Sequence, residues 1–181
     1  SRPLKHIQRS FFVIQICTLV IYSTDNLIIM NRLSGTDVTN YNVAFKYFNS
    51  LIIIFNVVLL PYWSSFTEAA HKKDRQWIQK NIRRLIYFWI LIVLAYGILL
   101  FISQWAYELW IGDDSIQIPL SLSIFMGISV LITCWNNIFA YFLNSISATR
   151  WQMVVLIVSA LINIPLSFYL LDEMNTTGVI I

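Results

Sequence analysis

The sequence predicts an all-α integral membrane protein, an antiparallel bundle of about five transmembrane helices. Three observations carry this expectation. Of the 181 residues, 58% are hydrophobic and only 12% charged, whereas a soluble domain carries about 25% charged residues. Five stretches reach the roughly 20 predominantly apolar residues that a helix needs to cross the hydrocarbon core. None of the five alternates with period two, so they read as helices and not as barrel strands. A single membrane domain over 1–181 follows, with no Pro/Gly linker or low-complexity tract dividing it.

The spans fall in order at about 11–30, 41–66, 82–102, 118–143 and 151–171. A further helix begins near Val179. The absence of an initiator Met at Ser1 and the apolar run at the end predict a piece of a longer protein. The expected connections are short. Residues 31–40 hold the turn signal Ser34-Gly35-Thr36-Asp37, and 103–117 hold Gly112-Asp113-Asp114. The connection at 67–81 is the longest and is basic, and 144–150 and 172–178 complete the set.

Charge sets the orientation. If five helices alternate, Arg2, Lys5, Arg9, Lys72, Lys73, Arg75, Lys80, Arg83, Arg84 and Arg150 share one side, and only Arg32 lies in the loops of the other. Basic loops stay cytoplasmic. The N-terminal flank and the 67–85 segment are therefore expected inside, touching anionic headgroups. Trp77, Trp105, Tyr107, Trp110 and Trp151 fall near span ends, where aromatic belts sit. Nothing in this pattern calls for nucleic acid.

Polar groups inside the spans are costly and point to function. Asp25 lies near the end of the first span and Lys46 near the start of the second, at similar depth. They can pair across the two helices, or face a hydrated cavity and meet cargo or a coupling cation. Asn42, Asn49 and Asn56 recur every seven residues, nearly two turns, so they share a face with Lys46 close by. That face must meet other helices or water. Asn26 in the first span with Asn31 just past its end, and Asn136 and Asn137 in the fourth with Asn144 just past its end, add to the set. Many amides with few charges suit sugar hydroxyls better than an ion pore. Pro61 and Pro165 interrupt the second and fifth helices, as bends or as hinges.

Catalytic chemistry is not expected. Glu68, His71 and Asp74 follow one another by about a turn, but in a basic segment they read as a solvated helix face. The sequence has no Gly-rich phosphate loop, no Cys/His metal spacing and no Ser-His-Asp set, and so no cofactor or metal is predicted. Cys17 and Cys134 lie within apolar runs and read as packing residues.

Several segments resemble a known family. They are Asp25-Asn26-Leu27-Ile28-Ile29, Val38-Thr39-Asn40-Tyr41-Asn42-Val43-Ala44-Phe45-Lys46-Tyr47-Phe48, and Pro61-Tyr62-Trp63-Ser64-Ser65-Phe66-Thr67-Glu68-Ala69. Tyr107-Glu108-Leu109-Trp110-Ile111-Gly112, Trp135-Asn136-Asn137, Phe142-Leu143-Asn144 and Asn163-Ile164-Pro165-Leu166-Ser167 continue the series. Their order and spacing are similar to the C-terminal half of Wzx-type polysaccharide flippases. These belong to the MOP superfamily with MATE multidrug exporters and lipid II flippases. The resemblance implies half of a two-bundle MOP/MATE-like transporter that alternates between inward- and outward-open forms in a bacterial inner membrane. It implies a cargo of undecaprenyl-diphosphate-linked oligosaccharide, the O-antigen repeat unit, carried from the cytoplasmic to the periplasmic leaflet. Membrane lipid, a coupling cation and other polysaccharide assembly proteins are the further partners it leaves room for. A MATE-like drug or cation antiporter is the alternative, and a membrane-embedded polysaccharide enzyme a more distant one. The turn from Asn144 to Arg150 departs from the family's Gly-rich turn while keeping a basic end.

Overall fold

The computed structural model describes residues 35–112 and 118–148, together with Phe12, Ile16, Leu19, Val154, Ile157, Val158 and Leu161. These single residues are helical and fall in the expected first and fifth spans, which otherwise lie outside the described residues with the expected start near Val179. Three long helices make up the described chain: α1 (Gly35–His71), α2 (Arg75–Ile111) and α3 (Leu120–Ser145). All three are long and apolar enough to cross a membrane, and no strand occurs among the described residues.

The helices outrun the apolar stretches that predict them. α1 and α2 have 37 residues each, about 55 Å at a rise of about 1.5 Å per residue, against a hydrocarbon core of about 30 Å. The surplus lies at the polar ends. The expected loop at 67–81 is therefore mostly helix: α1 runs on to His71, and α2 begins at Arg75. Glu68, Ala69, Gln76, Lys80 and Arg83 are good helix formers once outside the hydrocarbon, so polarity there does not mark a loop. Asp74 starts α2 by accepting from the Trp77 backbone N–H at 2.9 Å. Likewise, 35–40 is the first turn of α1, with Asp37 placed to complement the helix dipole. At the far end of α2, Gly112 closes the helix in the left-handed conformation at φ 63°, its N–H bonding the Glu108 carbonyl at 3.0 Å.

α1 is the central helix. Tyr41, Ala44, Phe48, Leu51, Phe55 and Leu59 are buried at spacings of three or four, one stripe facing its neighbours. It runs parallel to α3, as the pairs Asn56–Asn137, Trp63–Tyr141 and Thr67–Ser145 show. It runs antiparallel to α2, where Phe48 meets Tyr96 and Phe55 stacks on Phe88. α2 holds the most apolar window of the three, yet only 11% of that window is buried. A surface so apolar and so uncovered fits acyl chains.

Lipid removes most of the hydrophobic drive for helix pairing, leaving close packing and hydrogen bonds. Both are visible here. The Tyr47 hydroxyl donates to the Leu99 carbonyl at 3.1 Å, tying α1 to α2. Tyr96 donates to the Ile124 carbonyl at 3.1 Å and Trp89 Nε1 to the Leu131 carbonyl at 2.9 Å, tying α2 to α3. Each such bond contributes about 0.6–2 kcal/mol. Tyr107, expected in an aromatic belt, is instead 3% exposed and shares a 3.0 Å hydrogen bond with Ser123. Helix rotation turns it inward, whereas Trp105 and Trp110 on the other faces are exposed.

Candidate functional site

The polar residues of α1 and α3 gather along one edge of the seam between these helices. On α1, Asn42, Asn49 and Asn56 lie to one side of the buried stripe, each half-buried. On α3, Ser129, Thr133, Asn136 or Asn137, Ala140 and Asn144 follow one another at helical spacing along a single flank. Asn137 Nδ2 donates to Asn56 Oδ1 at 2.9 Å, which joins the two rows. Nearer the His71 end of α1, the Thr67 hydroxyl donates to the Ser145 carbonyl at 3.0 Å. The result is a strip of amides and hydroxyls on a bundle whose remaining surface is mostly aliphatic and aromatic.

Individual residues differ in what they do. Asn42 donates to the Val38 carbonyl of its own helix at 2.8 Å. Asn56 and Asn137 satisfy each other across the seam. Asn49 makes no side-chain hydrogen bond among the described residues. Asn144 Oδ1 is buried without a partner among them. Thr133 returns its hydroxyl to the Ser129 carbonyl at 2.9 Å. Lys46 and Asn136 are exposed on the described bundle, at the outer border of the strip. Their side chains are open to whatever lies beside α1 and α3.

Asp25, Asn26 and Pro165 lie outside the described residues, and with Asp25 the proposed Asp25–Lys46 pair. Pro61 sits within α1 and is exposed. Its ring removes the N–H that would pair with the Val57 carbonyl. Ser64 and Ser65 donate to the Pro61 carbonyl at 3.3 and 3.1 Å, bonds that loosen a helix locally. The segment is thus an interrupted stretch of α1 just beyond the Asn56–Asn137 bond.

Glu68, His71 and Asp74 do not converge. Glu68 is held by Lys72 at 2.6 Å, and Asp74 caps α2. The same carboxylate contact raises the Lys72 pKa above its ordinary value. Sequence reasoning missed the bonds of Tyr47, Tyr96, Tyr107 and Trp89. A usable signal was there: Tyr and Trp well inside an apolar span need a partner for the polar tip. It also missed Ser129 and Thr133, whose spacing to Asn136 and Asn144 marks the α3 row.

Comparison with known proteins places this architecture. The MatE family profile matches residues 11–169. The chain is 22% identical over 172 residues to the "Putative O-antigen transporter" of Salmonella typhimurium, covering 94% of this chain and 40% of that protein. It is 23% identical over 141 residues to the "Putative O-antigen export protein" of Yersinia pseudotuberculosis, covering 77% and 32%. A Salmonella typhi protein of the first name is 21% identical over 175 residues. The chain thus spans at most about two fifths of the length of these relatives. No solved structure matches it. A multi-pass membrane architecture, all-helical among the described long elements, and a family match over most of its length place this chain in the MatE family.

Proposed function

We propose that this chain is part of a flippase in the bacterial inner membrane. The flippase carries an undecaprenyl-diphosphate-linked O-antigen oligosaccharide from the cytoplasmic to the periplasmic leaflet. The observation that carries the reading is the amide-rich α1–α3 strip, half-buried and set in an apolar bundle. Amides and hydroxyls can exchange hydrogen bonds with sugar hydroxyls without the desolvation cost of full charges. Lys46, open at the border of the strip, offers a cation to a passing diphosphate. The names borne by the relatives support the same cargo and a transporter in place of an enzyme. The prenyl chain stays in the bilayer while the head group follows the strip. Alternating access bends α1 at the Pro61 interruption, and a cation gradient drives the cycle through Asp25. The basic α1–α2 turn faces the cytoplasm.

The test uses the full-length protein in a strain whose surface O-antigen depends on it. Single cysteines at Asn49 and Lys46 are expected to react with a water-soluble maleimide, and lipid-linked oligosaccharide to slow the labelling. Lys46→Glu is expected to lower surface O-antigen at least tenfold, with protein level unchanged. Cysteines that are inert at both positions, together with full export by Lys46→Glu, would remove the strip from the transport path.

A further inference from the structure

Both helices that end on the basic side close in the same unusual way. α1 ends with Lys73 at φ 56° and α3 with Ser147 at φ 56°. In each, a backbone N–H reaches back five residues and the preceding one three: Asp74 to Ala69 at 2.9 Å and Lys73 to Ala70 at 3.1 Å, Ala148 to Leu143 at 2.9 Å and Ser147 to Asn144 at 3.1 Å. This is the Schellman closure, whose left-handed position ordinarily takes glycine, because a Cβ there meets the following carbonyl. Lysine at this position in α1 costs stability that glycine would not. Its side chain is the only thing gained.

That side chain lines a pocket. Lys73, Arg75 and Gln79 form its polar wall, and Ala70, Ile78 and Phe142 its apolar wall, around an open depression of about 560 Å³ between the α1–α2 turn and the end of α3. The acidic groups beside the turn are committed elsewhere. Glu68 pairs with Lys72 at 2.6 Å and Asp74 caps Trp77. Among the described residues the pocket thus presents Lys73, Arg75 and an amide above an apolar floor, with the Asp74 carboxylate, still charged, turned to cap α2. Such a shape fits a phosphate carrying apolar tails. A soluble anion would gain nothing from Ile78 and Phe142, and a neutral lipid nothing from Lys73 and Arg75.

We propose that this pocket holds the phosphate headgroup of an anionic phospholipid of the cytoplasmic leaflet, with Lys73 and Arg75 as the phosphate ligands. The inference rests on the reading of the chain as a membrane-spanning bundle whose α1–α2 turn stands just beyond the cytoplasmic headgroups, within reach of long Lys and Arg side chains, but not on the identity of the cargo. Bound there, the lipid bridges the turn to the end of α3 and clamps the two helix ends that carry the polar strip.

The experiment takes full-length protein in nanodiscs of phosphatidylcholine with graded phosphatidylglycerol, and reads retained lipid by native mass spectrometry beside the unfolding temperature. Lys73→Gly and Arg75→Gln are each expected to weaken phosphatidylglycerol retention about fivefold, and together about 25-fold. In pure phosphatidylcholine, Lys73→Gly is expected to unfold at a higher temperature than the wild type, since the left-handed position is relieved. A loss of retention in that variant is then a loss of ligand and not of fold. Lys80→Gln, outside the pocket, is the control and is expected to retain lipid. Unchanged retention in the double variant overturns the proposal. So does an equal loss with Lys80→Gln, which reports a diffuse surface field. If the variants release an added polyprenyl diphosphate but keep phosphatidylglycerol, the pocket belongs to the cargo and the assignment to phospholipid fails. Normal surface O-antigen in a strain lacking the full-length protein would overturn the flippase reading while leaving lipid retention untouched, so the two claims fail separately.

Discussion

Gly127 is the described glycine with least room around it, and Gly127→Ala is the perturbation whose size the structure determines. A Cβ at this position would stand 1.8 Å from Cε2 and 2.5 Å from Cδ2 of Tyr96. To reach an ordinary 3.4 Å contact the ring must retreat by about 1.6 Å. It is not free to do so. Its hydroxyl is bonded to the Ile124 carbonyl at 3.1 Å, and its ring meets fully buried Phe48 edge-on at 5.7 Å. Overpacking of this kind costs about 1–3 kcal/mol, and loss of the hydroxyl bond about 0.6–2 kcal/mol more. The better helix propensity of alanine offsets about 1 kcal/mol. The net expectation is destabilisation by about 0.6–4 kcal/mol, read as a lower temperature for loss of monodisperse protein on heating in detergent. Tyr96→Ala should abolish the penalty, so that Gly127→Ala in that background is neutral or stabilising. A coupling of at least about 1 kcal/mol is expected from the cycle. If Gly127→Ala alone leaves the transition where it was, the close approach of α2 and α3 is not as described and the reasoning fails.

Other outcomes follow from the same contacts. Tyr107→Phe removes the bond to Ser123 and should lower stability by about 0.6–2 kcal/mol, with export preserved at permissive temperature; an export defect without a stability loss would contradict the packing role. Thr67→Val should cost a similar amount by leaving the Ser145 carbonyl without this donor, and Thr67→Ser should recover it. Pro61→Ala supplies the missing N–H to the Val57 carbonyl, so it should raise the unfolding temperature while slowing export several-fold; unchanged export would remove the hinge role.

The apolar runs made the three described helices legible, since about 20 residues without charge have few alternatives. The ends of α1 and α2 were not, whereas α3 begins and ends within two residues of the expected span. Hydropathy reports where hydrocarbon stops, whereas the helix stops where a backbone motif ends it. For α1 that motif is the closure at Lys73, which no Gly or Pro announces. The seven-residue recurrence of Asn42, Asn49 and Asn56 correctly gave one face. It could not tell which amide binds a neighbouring helix, because that depends on the register between α1 and α3. Tyr107 shows the same limit from the other side: proximity to a helix end suggested an interface, and rotation about the axis buried it.

Asn49 is the residue on which glue and path part company. On α2 the uninterrupted apolar run is 85–102, about 27 Å at about 1.5 Å per residue, close to the hydrocarbon thickness of about 30 Å. Its middle lies between Val93 and Leu94. Phe48 faces Tyr96 and Phe55 faces Phe88 across the antiparallel pair, so this level meets α1 near Asn49. An amide placed there with no hydrogen-bond partner costs about 4–8 kcal/mol on a water-to-hydrocarbon scale. Among the described residues Asn49 has no such partner, whereas Asn56, two turns along, has Asn137. The two substitutions should therefore separate. Asn56→Leu breaks a pair and leaves the Asn137 amide unmatched, lowering stability by about 1–3 kcal/mol. On the proposed path, Asn49→Leu removes an amide that would be held by water or cargo, so stability should hold or rise while export falls at least tenfold. Thermal unfolding and surface O-antigen, measured on the same two variants, decide it. If Asn49→Leu unfolds as readily as Asn56→Leu and exports normally once folded, Asn49 is bound to another helix and the middle of the strip is not a path.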